Sequence, residues 1–235
     1  MNIVELPIQF EYEGQPYYIY PSLIVSGEEL TLVDTGYPEF MPLIENAMRK
    51  HGYDPQNLRN IIITHYDDDH IGALHDFKAK YPSTMIIASE IEAPYISGQV
   101  KSERLVQAEA LLVEMPVDEL ASGEAFVQLL MDLQHVPADQ TVRDGEWILG
   151  GKCQILATPG HTSGHISLYF PELSSVITGD AAVNEENELA VANPQYCLDL
   201  ASAEESLKRL KALQARTYYC FHEGKLVWDI TSAQA

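Results

Sequence analysis

Apolar positions along this chain come mostly in short runs closed by Gly, Pro, Asp or Ser, the pattern of strands, with helical spacing between several of them. Residues 3–10 and 16–25 alternate or run apolar (Ile8, Phe10; Tyr18, Tyr20, Leu23, Val25) around Glu13-Gly14-Gln15, which predicts a hairpin. After Ser26-Gly27-Glu28-Glu29 another strand runs from Leu30 to Val33 and ends at Asp34-Thr35-Gly36. A helix over 39–51 turns Leu43, Ile44, Ala47 and Met48 inward and stops at Gly52. A strand over 60–64 leads into a helix that lasts to about Lys80, with Ala73, Leu74 and Phe77 on one face and Pro82 beyond it. Thr84 to Ala88 is a further strand. Strand, helix, strand, helix, strand predicts a layered α/β core.

Residues 89–140 break this rhythm. Ser89-x-x-Glu92 has the form of a capping box for a short helix. Leu105, Ala108, Leu112 and Met115 fit one helical face, and Phe126, Leu129, Leu130 and Leu133 a second. The block reads as a helical insertion in an otherwise single domain of residues 1–235. A lid, a substrate wall and a homodimer face are all open to it, with plain packing the default. Strands resume after Val136-Pro137: Glu146 to Leu149, a Gly150-Gly151 turn, Cys153 to Ala157, then Ile166 to Phe170 and Ser175 to Thr178. A helix over 199–214 starts at Asp199 and turns Leu207, Leu210 and Leu213 inward. Thr217 to Phe221 is the last core strand.

Composition narrows the partners. The net charge of −21 disfavours long nucleic acids, whose binding rests on neutralising phosphates. It also disfavours anionic membrane surfaces. No run approaches the roughly 18 apolar residues of a membrane span. Met1-Asn2-Ile3-Val4-Glu5 has no basic start and no apolar signal core, and Cys153, Cys197 and Cys220 are far apart and odd in number. Together these predict a cytoplasmic protein.

The chemistry gathers at strand ends. Thr64 to Gly72 reads Thr-His-Tyr-Asp-Asp-Asp-His-Ile-Gly, straight after the buried run Ile61-Ile62-Ile63. An Asp N-cap with solvated charge would use the same residues. A buried strand end seldom carries so many ionisable groups, however, unless something such as a metal ion compensates them. His161 follows a second strand, Asp180 a third and His222 a fourth. In layered α/β folds such ends meet at one edge, and seven His and Asp groups suit two adjacent cations. Asp34 is equally a turn residue bonding its own backbone and a support for a nearby site.

These motifs resemble those of the metallo-β-lactamase-fold hydrolases: a His-x-His-x-Asp-His run, a distant Gly-His, a Gly-Asp and a late His. Here they stand as His65-Tyr66-Asp67-Asp68-Asp69-His70, Gly160-His161, Gly179-Asp180 and His222, with Asp34-Thr35-Gly36 as an early match. The likeness spans about residues 20–222. It implies a four-layer αββα sandwich and two divalent metal ions. Carried over, His65 and His161 bind the first metal; Asp69, His70 and His222 bind the second; Asp180 bridges. The departure is Asp67, where the pattern has His. A carboxylate there hardens the first position and admits manganese or iron beside the family's zinc. His165 stands outside the ligand set, with a supporting role. Asp68 is a solvated or capping group, and His51, His75 and His135 are surface residues.

The resemblance implies a hydrolase of a small ester, thioester, lactone or amide, with metal-activated water as nucleophile and Asp69 relaying the proton. Tyr196 sits on a loop from which it can reach a substrate, although packing on the core is its default. One alternative is a diiron oxygen or nitric-oxide reductase, which shares a carboxylate at the position of Asp67. Such enzymes carry a flavodoxin-type partner for which the residues after His222 leave no room. A phosphodiesterase or nuclease is the other, against which the acidic charge counts.

Overall fold

In the computed structural model, which describes residues 1–12 and 14–228, the chain opens with five strands: β1 (Asn2–Glu5), β2 (Ile8–Tyr12), β3 (Gln15–Ile19), β4 (Ser22–Ser26) and β5 (Glu29–Val33). Helix α1 (Met41–Lys50), β6 (Leu58–Ile62), α2 (Asp68–Ile71), α3 (Leu74–Lys80) and β7 (Met85–Ser89) follow. Three helices come next, α4 (Ala93–Ile96), α5 (Glu103–Leu112) and α6 (Leu120–Asp132). The second half holds β8 (Gln140–Val142), β9 (Trp147–Ile148), β10 (Cys153–Ala157), β11 (Ile166–Phe170), β12 (Ser175–Gly179), β13 (Val183–Glu185) and β14 (Glu188–Ala190). Helix α7 (Leu200–Ala212), β15 (Thr217–Cys220) and β16 (Leu226–Val227) complete it.

Two six-stranded sheets form, ordered β1-β4-β5-β6-β7-β8 and β16-β15-β12-β11-β10-β9. In the first, β5 to β8 run parallel, so Asp34 and the stretch from His65 leave the sheet at the same edge. In the second, β12 and β15 are parallel, and β10 lies antiparallel to β11, which is antiparallel to β12. The ends of β10, β12 and β15 therefore share an edge, and His161, Asp180 and His222 follow them.

The two-residue side-chain period of a strand assigns the layers. Val33, Ile62 and Ile87 face Ile155, Leu168 and Ile177 between the sheets. Their neighbours Leu32, Ile61 and Ile86 face Ile44, Met48 and Phe77 of α1 and α3. On the far side, Leu156, Val176 and Tyr218 pack with Leu210 of α7. This is the αββα sandwich.

Several elements differ from the sequence reading. The first hairpin is two pairings: β2 with β3, and β1 with β4. Glu13, in its turn, lies outside the described residues. Leu43 is exposed, so α1 is narrower on its apolar face than its spacing predicts. The helix after His65 is broken at Gly72-Ala73, where a Cβ on Gly72 would lie 2.3 Å from the Pro38 nitrogen. The β13–β14 hairpin is an addition to the sequence reading; its turn, Glu186-Asn187, is set by two positive φ angles of 50° and 69°. The block between β7 and β8 is helical as expected. Ala108, Leu130, Leu133 and Val136 join the core while Leu111, Val113, Val117 and Met131 are exposed. Among the described residues no helix is long and apolar enough to cross a membrane.

Candidate metal centre

The edge shared by both sheets is built from the backbone outward. Asp34 closes β5 with φ 63°, a conformation an L-residue adopts only when its surroundings compel it. Its carboxylate accepts the Thr64 N–H and the Thr64 hydroxyl, both at 2.9 Å, which locks β5 to the end of β6. Asp34 Oδ2 also lies 3.0 Å from His70 Nδ1. Its carboxylate thus serves the site and not its own turn: Asp34 fixes the His70 ring so that Nε2 looks away from it. The first turn of α2 places Asp69 and His70 side by side, with the His70 N–H bonded to the Asp67 carbonyl at 2.9 Å.

Two groups of side chains converge. His65, His161 and Asp180 each bring a donor atom within 4.8 Å of the others, as do Asp69, His70 and His222. Asp180 stands between the groups: Oδ1 is 3.4 Å from His70 Nε2, while Oδ2 is 3.6 Å from His161 Nε2 and 3.4 Å from His222 Nε2. His65 Nε2, His70 Nε2 and Asp180 Oδ1 are buried with no hydrogen-bond partner among the described residues. Buried polar atoms left unpaired at one point are costly, and a cation there satisfies all of them. The residues present fit divalent metal ions.

Charge supports the same reading. Burial opposes a proton on His161 and His222, but neighbouring carboxylates outweigh it and push their pKa values up to about 9 and about 10. Burial likewise opposes charge on Asp180, yet His222 and His70 hold it well below the usual carboxylate range. Without metal, protons on imidazole balance the carboxylates; a divalent ion would replace them.

Comparison with known proteins agrees with this geometry. The model of the metallo-beta-lactamase superfamily matches residues 14–222. The chain belongs to the metallo-β-lactamase superfamily. It is an enzyme of that metallo-hydrolase class. A probable metallo-hydrolase of Bacillus subtilis, YflN, is 27% identical over 212 residues, covering 81% of this chain and 74% of its own length. A hydroxyacylglutathione hydrolase of Bartonella henselae is 29% identical over 184 residues, covering 77% of this chain; the match spans about half (53%) of that protein's length. A metallo-beta-lactamase family protein from Thermus thermophilus superposes with a TM-score of 0.70 at 22% identity, covering 96% of this chain and 74% of its own.

Within that superfamily frame, six of the seven predicted ligands stand in the two groups, and Asp67 lies beside the first of them, with Oδ2 3.1 Å from His161 Nε2 and 3.6 Å from His65 Nε2. Its carboxylate is held by Arg104 of α5, whose Nη2 donates to Oδ2 at 2.8 Å and whose Nε lies 3.2 Å from both oxygens. The sequence reading missed Arg104 and Glu92. The Glu92 N–H does bond the Ser89 hydroxyl, half of a capping box. Its carboxylate turns away instead to the Tyr66 N–H, the Thr162 hydroxyl and the Gly164 N–H at 3.0, 2.7 and 2.9 Å. It ties the His65 loop to the His161 loop. His165 is a support, as its exclusion from the ligand set implied. Its Nε2 accepts the Asp180 N–H at 2.9 Å, and Nδ1 lies 2.9 Å from the Thr158 hydroxyl. Burial first, then His65 and His161, push its pKa well down, so the ring is neutral and free to accept that bond. Asp68 is partly buried rather than freely solvated; burial and the carboxylates beside it push its pKa up to about 8. The Tyr196 side chain is exposed, and its carbonyl accepts from Arg104 Nη1. His51, His75 and His135 are exposed, as expected.

Proposed function

We propose that the chain is a binuclear metal-dependent hydrolase of a small acyl substrate, a thioester foremost, then an ester, lactone or amide. The observation that carries this is the pair of converging ligand groups with Asp180 between them. His65 and His161 would hold one ion, Asp69, His70 and His222 the other, and Asp180 would touch both. The thioester preference takes its support from the hydroxyacylglutathione hydrolase relatives. When bound, two such ions supply Lewis acidity and lower the pKa of water to roughly 7.

The chain's own residues do the rest. Asp34 and His165 set the His70 ring and the Asp180 backbone, so neither has to reorganise during turnover. Asp69 Oδ2 lies 3.2 Å from His222 Nε2 and 3.7 Å from His70 Nε2, and its side chain is 13% exposed. From there it can take a proton from water and deliver it to a leaving thiolate or alkoxide. Each position offers two imidazoles beside its carboxylates, a donor set that suits zinc. The hold of Arg104 on Asp67 weakens the carboxylate on which the diiron reading relies.

The test is metal analysis of protein purified without added metal, followed by a hydrolysis screen with thioester, ester, lactone, amide and phosphoester probes after zinc or manganese loading. Zinc-supported cleavage of the thioester, lost in His70→Ala, is the expected result. Two irons per chain with no hydrolysis would overturn the reading, as would phosphoester cleavage alone.

A further inference from the structure

Arg104 is 4% exposed although it sits near the start of a helix in the segment between β7 and β8. Four of its five N–H donors are engaged. Nη2 and Nε go to Asp67, while Nη1 goes to Gln107 Oε1 at 2.7 Å and to the Tyr196 carbonyl. The remaining Nη2 N–H faces His161. Asp67 Oδ2, which takes the shorter Arg104 bond of the two carboxylate oxygens, is also the one turned toward the centre. It lies 3.1 Å from His161 Nε2 and 3.6 Å from His65 Nε2. The guanidinium itself comes within 3.5 Å of His161 Nε2.

A cation placed between His65 and His161 would therefore share one carboxylate oxygen with a fixed positive charge and feel that charge nearby. Two cations competing for one buried oxygen weaken each other's hold. The other position is free of this conflict. Asp69 and Asp180 pair only with histidines among the described residues, and Asp34 backs His70.

We propose that the Arg104–Asp67 ion pair makes the two metal positions unequal: Asp69, His70 and His222 with Asp180 take a divalent ion first, and the His65–His161 position fills only at higher metal concentration. The inference rests on the metal-centre reading above. In it, Arg104 is a positioning residue that acts through Asp67.

The test is titration of metal-free protein with Zn²⁺ against a chromophoric chelator, with bound metal counted per chain. Wild type should show two steps separated by about 10–100-fold, the range that one supporting contact is worth to a metal site. His222→Ala should abolish the tight step, whereas His65→Ala should leave it at its wild-type value. Arg104→Met, which keeps the side chain's length without its charge, should narrow the gap by tightening the weak step. Two equivalent steps in wild type, or loss of the tight step in His65→Ala, would overturn the proposal. So would an unchanged gap in a folded Arg104→Met. The two histidine variants decide the order of filling even where Arg104→Met does not fold. No binding of Zn²⁺ by wild type would sink the metal centre itself.

Discussion

Replacing Glu92 with Gln isolates the clamp between the two ligand loops. Glu92 is fully buried. Oε1 accepts from the Thr162 hydroxyl and the Gly164 N–H, and Oε2 accepts from the Tyr66 N–H. A Gln amide must aim its NH₂ at one of those two backbone N–H groups, donor against donor. Burial pushes Glu92 up to about 8, with Asp67 adding to the rise and the Thr162 bond opposing it. The acid form still accepts both N–H groups, because its hydroxyl oxygen keeps a lone pair. The penalty therefore applies whether or not Glu92 is protonated. One stranded buried N–H costs about 1–3 kcal/mol. At this chain length each kcal/mol moves Tm by about 2–4 °C, so Glu92→Gln should melt roughly 2–12 °C lower. Because Tyr66 follows His65 and Thr162 follows His161, Zn²⁺ affinity at that pair should fall about 10–100-fold. Circular-dichroism melting of metal-free protein and the chelator titration measure the two effects. A variant within about 1 °C of wild type and with unchanged affinity would show that the clamp does not hold the loops.

Asp180→Ala removes the carboxylate between the two groups and should strip both metals and activity together; unchanged metal stoichiometry by elemental analysis would refute the assignment. Because carboxylates raise His161 to about 9 and His222 to about 10, protons compete with metal well above neutrality. Apparent Zn²⁺ affinity should keep climbing from pH 7 toward 9, with proton release on binding in a pH-stat; a plateau by pH 7 would contradict it. In metal-free protein the same two raised histidines stabilise the fold fully below their unfolded value of about 6.5. That contribution should fade as pH rises through about 9 and 10, which melting across pH would show. Gly160 has φ 133°, and a Cβ there would stand 2.2 Å from the Ala203 nitrogen in α7. Gly160→Ala should cost more than about 1 kcal/mol in chemical denaturation, since backbone cannot yield cheaply.

What the sequence disclosed is what depends on local pattern. Strands β5, β6, β10, β12 and β15 follow from apolar runs, and the residues just beyond them carry the chemistry, so the edge and its ligands could be read together. Asp34 was legible only as a choice between two roles, because a hydrogen bond to Thr64 and another to His70 are set by strand pairing and not by spacing. Arg104 and Glu92 left no signal. Arg104 is one polar residue in a helix of mixed character, and Glu92 fitted a capping box whose other half the fold diverts to Tyr66 and Gly164. Long-range polar contacts of this kind have no periodicity to betray them. The β13–β14 hairpin escaped for a related reason: its short apolar stretch from Leu189 to Ala192 names no partner, and the turn at Glu186-Asn187 creates the pairing.

The ligand-type side chains are spread along the chain in an order that bears on how the enzyme is made. His65, Asp69 and His70 come from the first sheet's edge, and His161, Asp180 and His222 from the second's. A nascent chain that has emerged only through β12 can dock much of both sheets, but it still lacks β15 and therefore His222. The position shared by Asp69, His70 and His222 cannot be assembled until that last core strand slides in beside β12. An ion captured before β15 docks would have only part of that set to hold it.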